Sequence, residues 1–519
     1  MLISPKRGIG FFPSKAYYVP VREMLMKLIS GSMLYDAVHC PHRVSMDVFE
    51  DPGLRDDPSP FLEMLWEQGW NHEFKVIERM GDGVLNLFAL ETAEKEVRTL
   101  EAIKNRVPLI YAGRIQHGDL VGEPDLLFLR GDAYVAGDIK SGSGFDGEES
   151  SGKLKKHYAV QVAHYTNILE LLSFSDGTKS AVILDGGYKQ VPYALAAPQG
   201  MRNKTTWWEL YLETLQYIRQ LLDRSETSRA ALSAQCGHCH WRRRCDEVLR
   251  EVDDLTLIAE LGRAKRDAMF ATFPNVASLA ACDPASYISG AKTSFAGIGP
   301  DTLQKYRARA ILLTQPDAKP YFREPVELPL SEIEVFFDIE DDPMRGICYL
   351  HGFVERRGGA NGTERYIACI ASEPTPAAEA VAFRSAWEYL MGFDGAARVY
   401  YYSKYERTAW KKLAERYPEV CSIDDVDALF LKEWMVDLLY DVVSKTEWPV
   451  NNRSIKTLAK YLGFRWRDSN PSGAASIEWY DQWVQTGSAE VRQRILDYNE
   501  DDCRATRVLL DGLRKIAGY

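Results

Sequence analysis

The 519 residues are 46% hydrophobic and 26% charged, which excludes a disordered or low-complexity chain, and the length calls for about three folded units at roughly 100 to 200 residues per domain. A net charge of −11 with a pI near 5.5 excludes a globally basic nucleic-acid binder, but not a carboxylate centre neutralised by metal ions or local basic clusters such as Lys153, Lys155 and Lys156, or Arg242 to Arg244. No apolar run reaches the roughly 18 residues of a membrane span, and Pro, Gly and Lys interrupt the first 20 residues, so a cytoplasmic protein without signal peptide or membrane partner is expected.

In chain order, Tyr17 to Gly53 reads as helical, with Ser32 as a cap and Cys40 within Cys-Pro-His-Arg. Pro60 to Met80 reads as an amphipathic helix with Leu62, Leu65, Trp66 and Trp70 at helical spacing, and His72 lies on it. The stretch Gly122 to Gly142 reads as a β-hairpin, two apolar runs flanking Arg130-Gly131-Asp132. Asp125 opens its first strand, while Asp138 and Lys140 close the second and share a face because side chains alternate along a strand. Two carboxylates and an ammonium so placed can hold a divalent cation and position a water for attack on phosphate.

After a Gly/Ser/Glu/Lys-rich loop, Ser141 to Lys156, comes a helix on which Gln161 and Tyr165 lie one turn apart. Val182 to Leu184 reads as a strand, Asp185 to Gly187 as a turn, and Thr205 to Asp223 as a helix. Of nine cysteines, Cys282, Cys348, Cys369, Cys421 and Cys503 stand singly and read as core thiols. Cys236, Cys239 and Cys245 form C-x2-C-x5-C, a ligand spacing that needs a fourth donor. His238 or His240 would complete a zinc site locally, whereas Cys40 would give four thiolates suited to zinc or to an iron–sulfur cluster.

Residues 1–250 thereby resemble the RecB-type nucleases of the PD-(D/E)XK superfamily, specifically their iron–sulfur members. The resemblance rests on Cys-Pro-x-Arg, Gly69 to His72, Pro124-Asp125, Asp138-x-Lys140, Gln161-x-x-x-Tyr165 and the cysteine triplet, in that order. It implies a restriction-endonuclease-like core in which His72, Asp125 and Asp138 bind metal, aided by the Ile139 carbonyl. Lys140 would orient the attacking water, Gln161 and Tyr165 would contact DNA, and Cys40, Cys236, Cys239 and Cys245 would hold a [4Fe-4S] cluster, with Zn2+ as the alternative. Glu123 stands where some members carry an extra acid.

Residues 251–316 read as short helices containing Gly297-Ile298-Gly299 and a degenerate Leu261-Gly262, followed by Lys305, Arg307 and Arg309. Backbone N–H groups at such a Gly-x-Gly can meet a phosphate, and the region resembles an all-α pair of helix-hairpin-helix modules gripping DNA through Gly297, Gly299 and Lys305. Residues 317–329 read as a linker. In 330–519, Asp338 and Glu340 share one face of a buried strand, Glu406 opens a helix after RVYYYSK, and Tyr498 and Asp502 lie one turn apart on the last helix. This resembles the DEDD exonucleases of the RNase H-like α/β class. Glu406 stands where Asp is commoner, Asp437 is the alternative fourth acid, and Tyr498 would orient the water.

The order of modules resembles the bacterial RecB-like putative nuclease family. That resemblance implies an α/β multidomain, Mg2+- or Mn2+-dependent DNA nuclease with two centres acting on ends, flaps or single strands in repair, recombination or defence. RNA stays open as a substrate, and a helicase or another repair or defence protein is a candidate partner. The competing expectations are a nucleic-acid-binding adaptor with one or both centres inactive, and a zinc-stabilised scaffold.

Overall fold

The computed structural model describes residues 27–147, 152–201 and 203–519. Residues 17–26 of the helical reading and 148–151 of the Ser141–Lys156 loop lie outside the described residues. Instead of one helical stretch, the chain forms a short strand, Ile29–Ser30, then helices Gly31–His39 and Pro41–Phe49. They break at Cys40, whose extended backbone (φ −158°, ψ 99°) is what a following proline favours. Ser30, not Ser32, caps the first helix, because Ser30 has the extended conformation that lets its hydroxyl accept from the Met33 N–H.

A six-stranded mixed sheet runs in the order Leu85–Asn86, Leu109–Tyr111, Leu126–Arg130, Ala133–Ile139, Ser180–Leu184, Gln190–Ala194. Its central pair is the hairpin, closed by a two-residue turn in which Gly131 takes φ +63°. Ala133–Ile139 is buried along its whole length because it is flanked on both edges and covered by the Lys156–Leu171 helix. The Trp207–Leu222 helix packs behind that one and closes the core around Tyr158, Ile168, Tyr193 and Tyr211.

The next region shares a core of Leu255, Leu261, Met269, Phe273, Phe295 and Tyr306 among helices Gly262–Met269, Val276–Ala281 and Pro300–Thr314. It is not all-helical. A two-stranded hairpin, Ile288–Ser289 with Lys292–Thr293, stands between Val276–Ala281 and Gly297, so Gly297-Ile298-Gly299 follows a β-turn element and not a short helix. The 317–329 stretch also carries a strand, Tyr321–Phe322, paired with Thr446–Glu447.

The remaining residues build a five-stranded sheet in the order Ala360–Ile370, Ile347–Arg357, Ile333–Asp342, Ala397–Tyr401, Met435–Asp437. Its first three strands are antiparallel and the last two join in parallel. Helices Pro376–Met391 and Tyr405–Arg416 cover one face, while the long Ala489–Ala517 helix packs on the other.

Polar contacts join the parts. Arg309 and Glu447, both buried, meet at 2.6 Å, with Arg453 and Arg323 completing the shell around Glu447. Arg309 therefore faces the interior and not a phosphate, and Arg307 is spent on the Cys282 carbonyl. The Phe61 N–H, at the start of the Pro60–Met80 helix, donates to Glu478 at 2.7 Å, and Gln68 donates to the Met344 carbonyl at 2.9 Å.

His351 is buried in the last domain, where its Nδ1 stands 3.2 Å from the Trp410 indole N–H, and burial pushes its pKa down to about 3. The unfolded chain takes up a proton here below about pH 6.5 and the folded one does not, so stability is lost as pH falls from 6.5 toward 3, by up to about 1.4 kcal/mol per pH unit. His351→Leu is expected to remove that share of the slope in denaturant unfolding measured between pH 6 and 4.

Candidate active sites

The hairpin register pairs Leu126 with Gly137, which sets Asp125 beside Asp138 at the strand ends. Asp125 is locked there by the Ile139 N–H, 2.7 Å from its Oδ2. Lys140 forms an ion pair with Asp138. Burial alone would lower the Lys140 ammonium, but Asp138 and Asp125 more than reverse this and keep it protonated. Burial, then Asp138 and Glu73, push the Asp125 carboxyl well above the usual carboxylate range.

Glu73 is a third acid that the sequence reading missed. Its carboxylate accepts from the Tyr111 hydroxyl at 2.7 Å, and its pKa is raised by burial and by Asp138. His72, expected among the acids, instead turns to the Asp185–Tyr188 turn. It hydrogen-bonds the Asp185 backbone, lies 5.1 Å from the Tyr188 ring, and its charged neighbours are Asp185, Lys75 and Arg79. The His72 Nε2 is buried with no hydrogen-bond partner, and Glu73, the next residue on the helix, is the one that borders Asp125 and Asp138. The signal was available, an acid directly after Gly69-x-x-His72. Glu123 is paired with Arg114 outside the acid group.

Gln161 donates to the Tyr165 hydroxyl at 3.0 Å, and both are buried. A Cβ at Gly31 or Gly122 would sit 2.7 or 2.8 Å from the Tyr165 ring, so these glycines form its cradle. The expected DNA contact is thus corrected for Tyr165: it is packed inside, with Asp138 and Asp125 among its charged neighbours, and offers no free face.

Cys40, Cys236, Cys239 and Cys245 line one cavity of about 180 Å³ together with Tyr35, His39, His42, His238 and Trp241. Burial and the three other cysteines push the Cys245 thiol up to about 12, while Arg263 donates to the Cys40 sulfur at 3.0 Å. His240 is held by Asp47 at 2.6 Å. No three of the thiols lie within 4.8 Å of one another. Between this cavity and the first acid group stands a layer of rings: Tyr35 packs on His39 and His157, and the Lys140 ammonium lies 5.8 Å from the Tyr35 ring centre.

In the second sheet, Asp338, Glu340 and Asp502 bring carboxylate oxygens within 4.8 Å of one another, the one such group among the described residues. Asp338 and Glu340 come from the Ile333–Asp342 strand just before its irregularity at Glu340/Asp341, and Asp502 from the Ala489–Ala517 helix packed across it. Neutral donors hold them apart. Asn499 donates to Asp338 at 2.8 Å, Trp466 to Asp502 at 2.7 Å, and Ser476 bonds Glu340. The nearest cation is Lys456, 3.7 Å from Asp502 and 2.5 Å from the Tyr498 hydroxyl. Burial and mutual repulsion drive Asp338 and Glu340 well above the normal carboxylate range.

Glu406 is buried with one oxygen lacking any hydrogen-bond partner, and burial and Asp338 raise its pKa strongly. Asp437 instead takes three backbone N–H groups, from Ser403, Leu439 and Tyr440, and serves as a cap. Asn499, Trp466, Ser476 and Lys456 were not singled out from sequence; only Asn499, between Tyr498 and Asp502, had a motif beside it. In the helical region, Gly297 takes φ +71°, Gly299 precedes the Pro300–Thr314 helix, and Lys305 pairs with Glu260 at 3.0 Å.

Gly352 lets Asn499 reach Asp338, since a Cβ there would lie 1.6 Å from the Asn499 oxygen. Gly352→Ala is expected to lower stability by about 1–3 kcal/mol, read by denaturant unfolding.

Residues 42–246 match the family model of the PD-(D/E)XK nuclease superfamily, and residues 335–514 match that of the RNase H superfamily. No curated protein matches the chain. The chain thus carries two α/β domains of these superfamilies, one for each acid group, and a nucleic acid is the implied substrate.

Proposed function

We propose that this chain is a Mg2+- or Mn2+-dependent DNA nuclease with two hydrolytic centres, acting on strand ends, flaps or single strands. The observation that carries the reading is the convergence of Asp338, Glu340 and Asp502, buried acids whose mutual repulsion a bound divalent cation would offset. Divalent cations would supply the positive charge that a phosphodiester under attack requires.

At the second centre Asp338, Glu340, Asp502 and the unpaired Glu406 would hold the cations. Tyr498, with Lys456 on its hydroxyl, orients the water. At the first, Glu73, Asp125 and Asp138 hold the cation with the Ile139 carbonyl beside them, and Lys140 aligns the water and meets the phosphate's charge. Only the capacity of Gln161's unpartnered Oε1 is left for a ligand in that pair. The four cysteines fit a [4Fe-4S] cluster better than zinc. Tetrahedral zinc thiolates at about 2.3 Å from the metal would bring the sulfurs to about 3.8 Å of one another, whereas every three of these thiols include at least one pair beyond 4.8 Å. Residues 1–250, 251–316 and 330–519 would be the nuclease, DNA-gripping and exonuclease parts, with Gly297 and Gly299 facing phosphate and Lys305 partly neutralised by Glu260.

Purified protein with Mn2+ is expected to degrade labelled single-stranded or flapped DNA and to stop on chelation. Asp138→Asn and Asp338→Asn should each remove one part of the product pattern, and together lower the rate at least about 10³-fold. Cleavage surviving in the double variant would refute the assignments, and tight binding with no turnover in the wild type would favour an adaptor. Elemental analysis of anaerobically prepared protein should find iron and acid-labile sulfide; zinc alone would refute the cluster.

A further inference from the structure

Trp66, Trp70, Phe74 and Phe88 are 53%, 61%, 47% and 48% exposed, and among the described residues they are the only exposed Trp and Phe side chains. Chance scatter would not collect them. The first three lie four residues apart on the Pro60–Met80 helix, one above another at about 6 Å steps. Phe74 then meets Phe88 edge-on at 5.5 Å, and Phe88 lies parallel to Tyr111 (3°, 6.1 Å). The Tyr111 hydroxyl bonds Glu73, which borders Asp125 and Asp138. Exposed rings on one side of this helix therefore lead, through the Phe74–Phe88–Tyr111 contacts, to the first acid group.

We propose that this row is a stacking platform for the unpaired bases of a nucleic-acid strand, leading the strand to the first centre. This deepens the nuclease reading, on which it rests for what lies at the row's inner end. Three observations favour this occupant. The row ends at an acid group, so a strand laid along it is led past Phe74 and Phe88 toward that group. Flat exposed rings accept any base face, and only an unpaired base offers one, because a duplex keeps its base faces inside the stack. The flanking charges set the orientation: Glu63 and Glu67, exposed beside the rings, repel a phosphate backbone laid on the row. Lys75 instead lies across the helix, where it lines a cavity of about 550 Å³ with Ser141 and Gly142, directly after Lys140. Bases thus face the rings, and the backbone follows the Lys75 side.

Binding of oligo-dT and of a blunt duplex of equal length is measured with the full chain carrying Asp138→Asn and Asp338→Asn, in chelator, by fluorescence anisotropy. Adding Trp66→Ala and Trp70→Ala is expected to weaken oligo-dT binding at least about tenfold, with duplex affinity and the thermal transition unchanged. Trp66→Phe with Trp70→Phe should restore most of it. Unchanged oligo-dT affinity, or an equal loss on duplex, would overturn the proposal. So would sedimentation showing that the Ala substitutions dissolve a dimer, which would make the row a contact between copies. Loss of oligo-dT binding in a protein whose wild type cuts nothing would uphold the platform and sink the nuclease reading. Cutting by the wild type with no effect of the Ala pair on binding would do the reverse.

Discussion

Both halves of this protein gather carboxylates where there is little water and too little positive charge. Asp125, Asp138 and Glu73 share one ammonium, Lys140, and Asp338, Glu340 and Asp502 share Lys456. Like charges in a low-dielectric pocket are costly, and apolar packing has to outweigh that cost. Asp138, Asp338 and Glu340 accordingly sit on largely buried strands, Ala133–Ile139 and Ile333–Asp342, with Val135, Ala136, Val335 and Phe337 as neighbours in the core. The donors that steady them are mostly neutral: the Ile139 N–H, the Tyr111 hydroxyl, Asn499, Trp466 and Ser476. Each satisfies one lone pair without cancelling charge. The acids are held by hydrogen bonds while their mutual repulsion stays, which is the condition a bound cation would relieve.

Local pattern carried a good share of this. Alternation and a turn glycine located the hairpin, and the helical spacing of Leu62, Leu65, Trp66 and Trp70 located the Pro60–Met80 helix. What pattern does not carry is the direction each face looks. Leu62, Leu65, Trp66 and Trp70 have helical spacing, but spacing says only that residues share a side; here Trp66 and Trp70 look outward, and the same rotation brings Glu73 to the acids and turns His72 away. Gln161 and Tyr165 were legible as one helix face, yet not as buried, because the glycines that enclose the phenol lie at 31 and 122. The donors of the second centre were illegible for a related reason. A tryptophan, an asparagine or a lysine has no signature of its own, and Trp466 and Lys456 become partners of Asp502 only when the last helix crosses the sheet. Arg309 shows the limit most clearly, since the carboxylate that draws it inward is 138 residues away.

The cysteine cavity and the first acid group share a wall. Tyr35 both lines the cavity and has its ring centre 5.8 Å from the Lys140 ammonium, and His39 is the neighbour in sequence of Cys40. The break at Cys40 therefore does more than present a sulfur. It fixes the end of the helix that carries Tyr35, so the packing around the thiols and the packing around Lys140 are one continuous body.

The Pro60–Met80 helix belongs to both halves of the molecule. Its first turn is pinned to Glu478, two residues from the Ser476 that bonds Glu340, and Glu73 lies twelve residues further along the same rod, about 18 Å away. Such a rod is a lever. A tilt of only about 3° at the pinned end carries Glu73 through about 1 Å, a misplacement large enough to matter about a hundredfold in a reaction that depends on alignment. The seating of one domain thus sets the tolerance to which the other domain's acids are aligned.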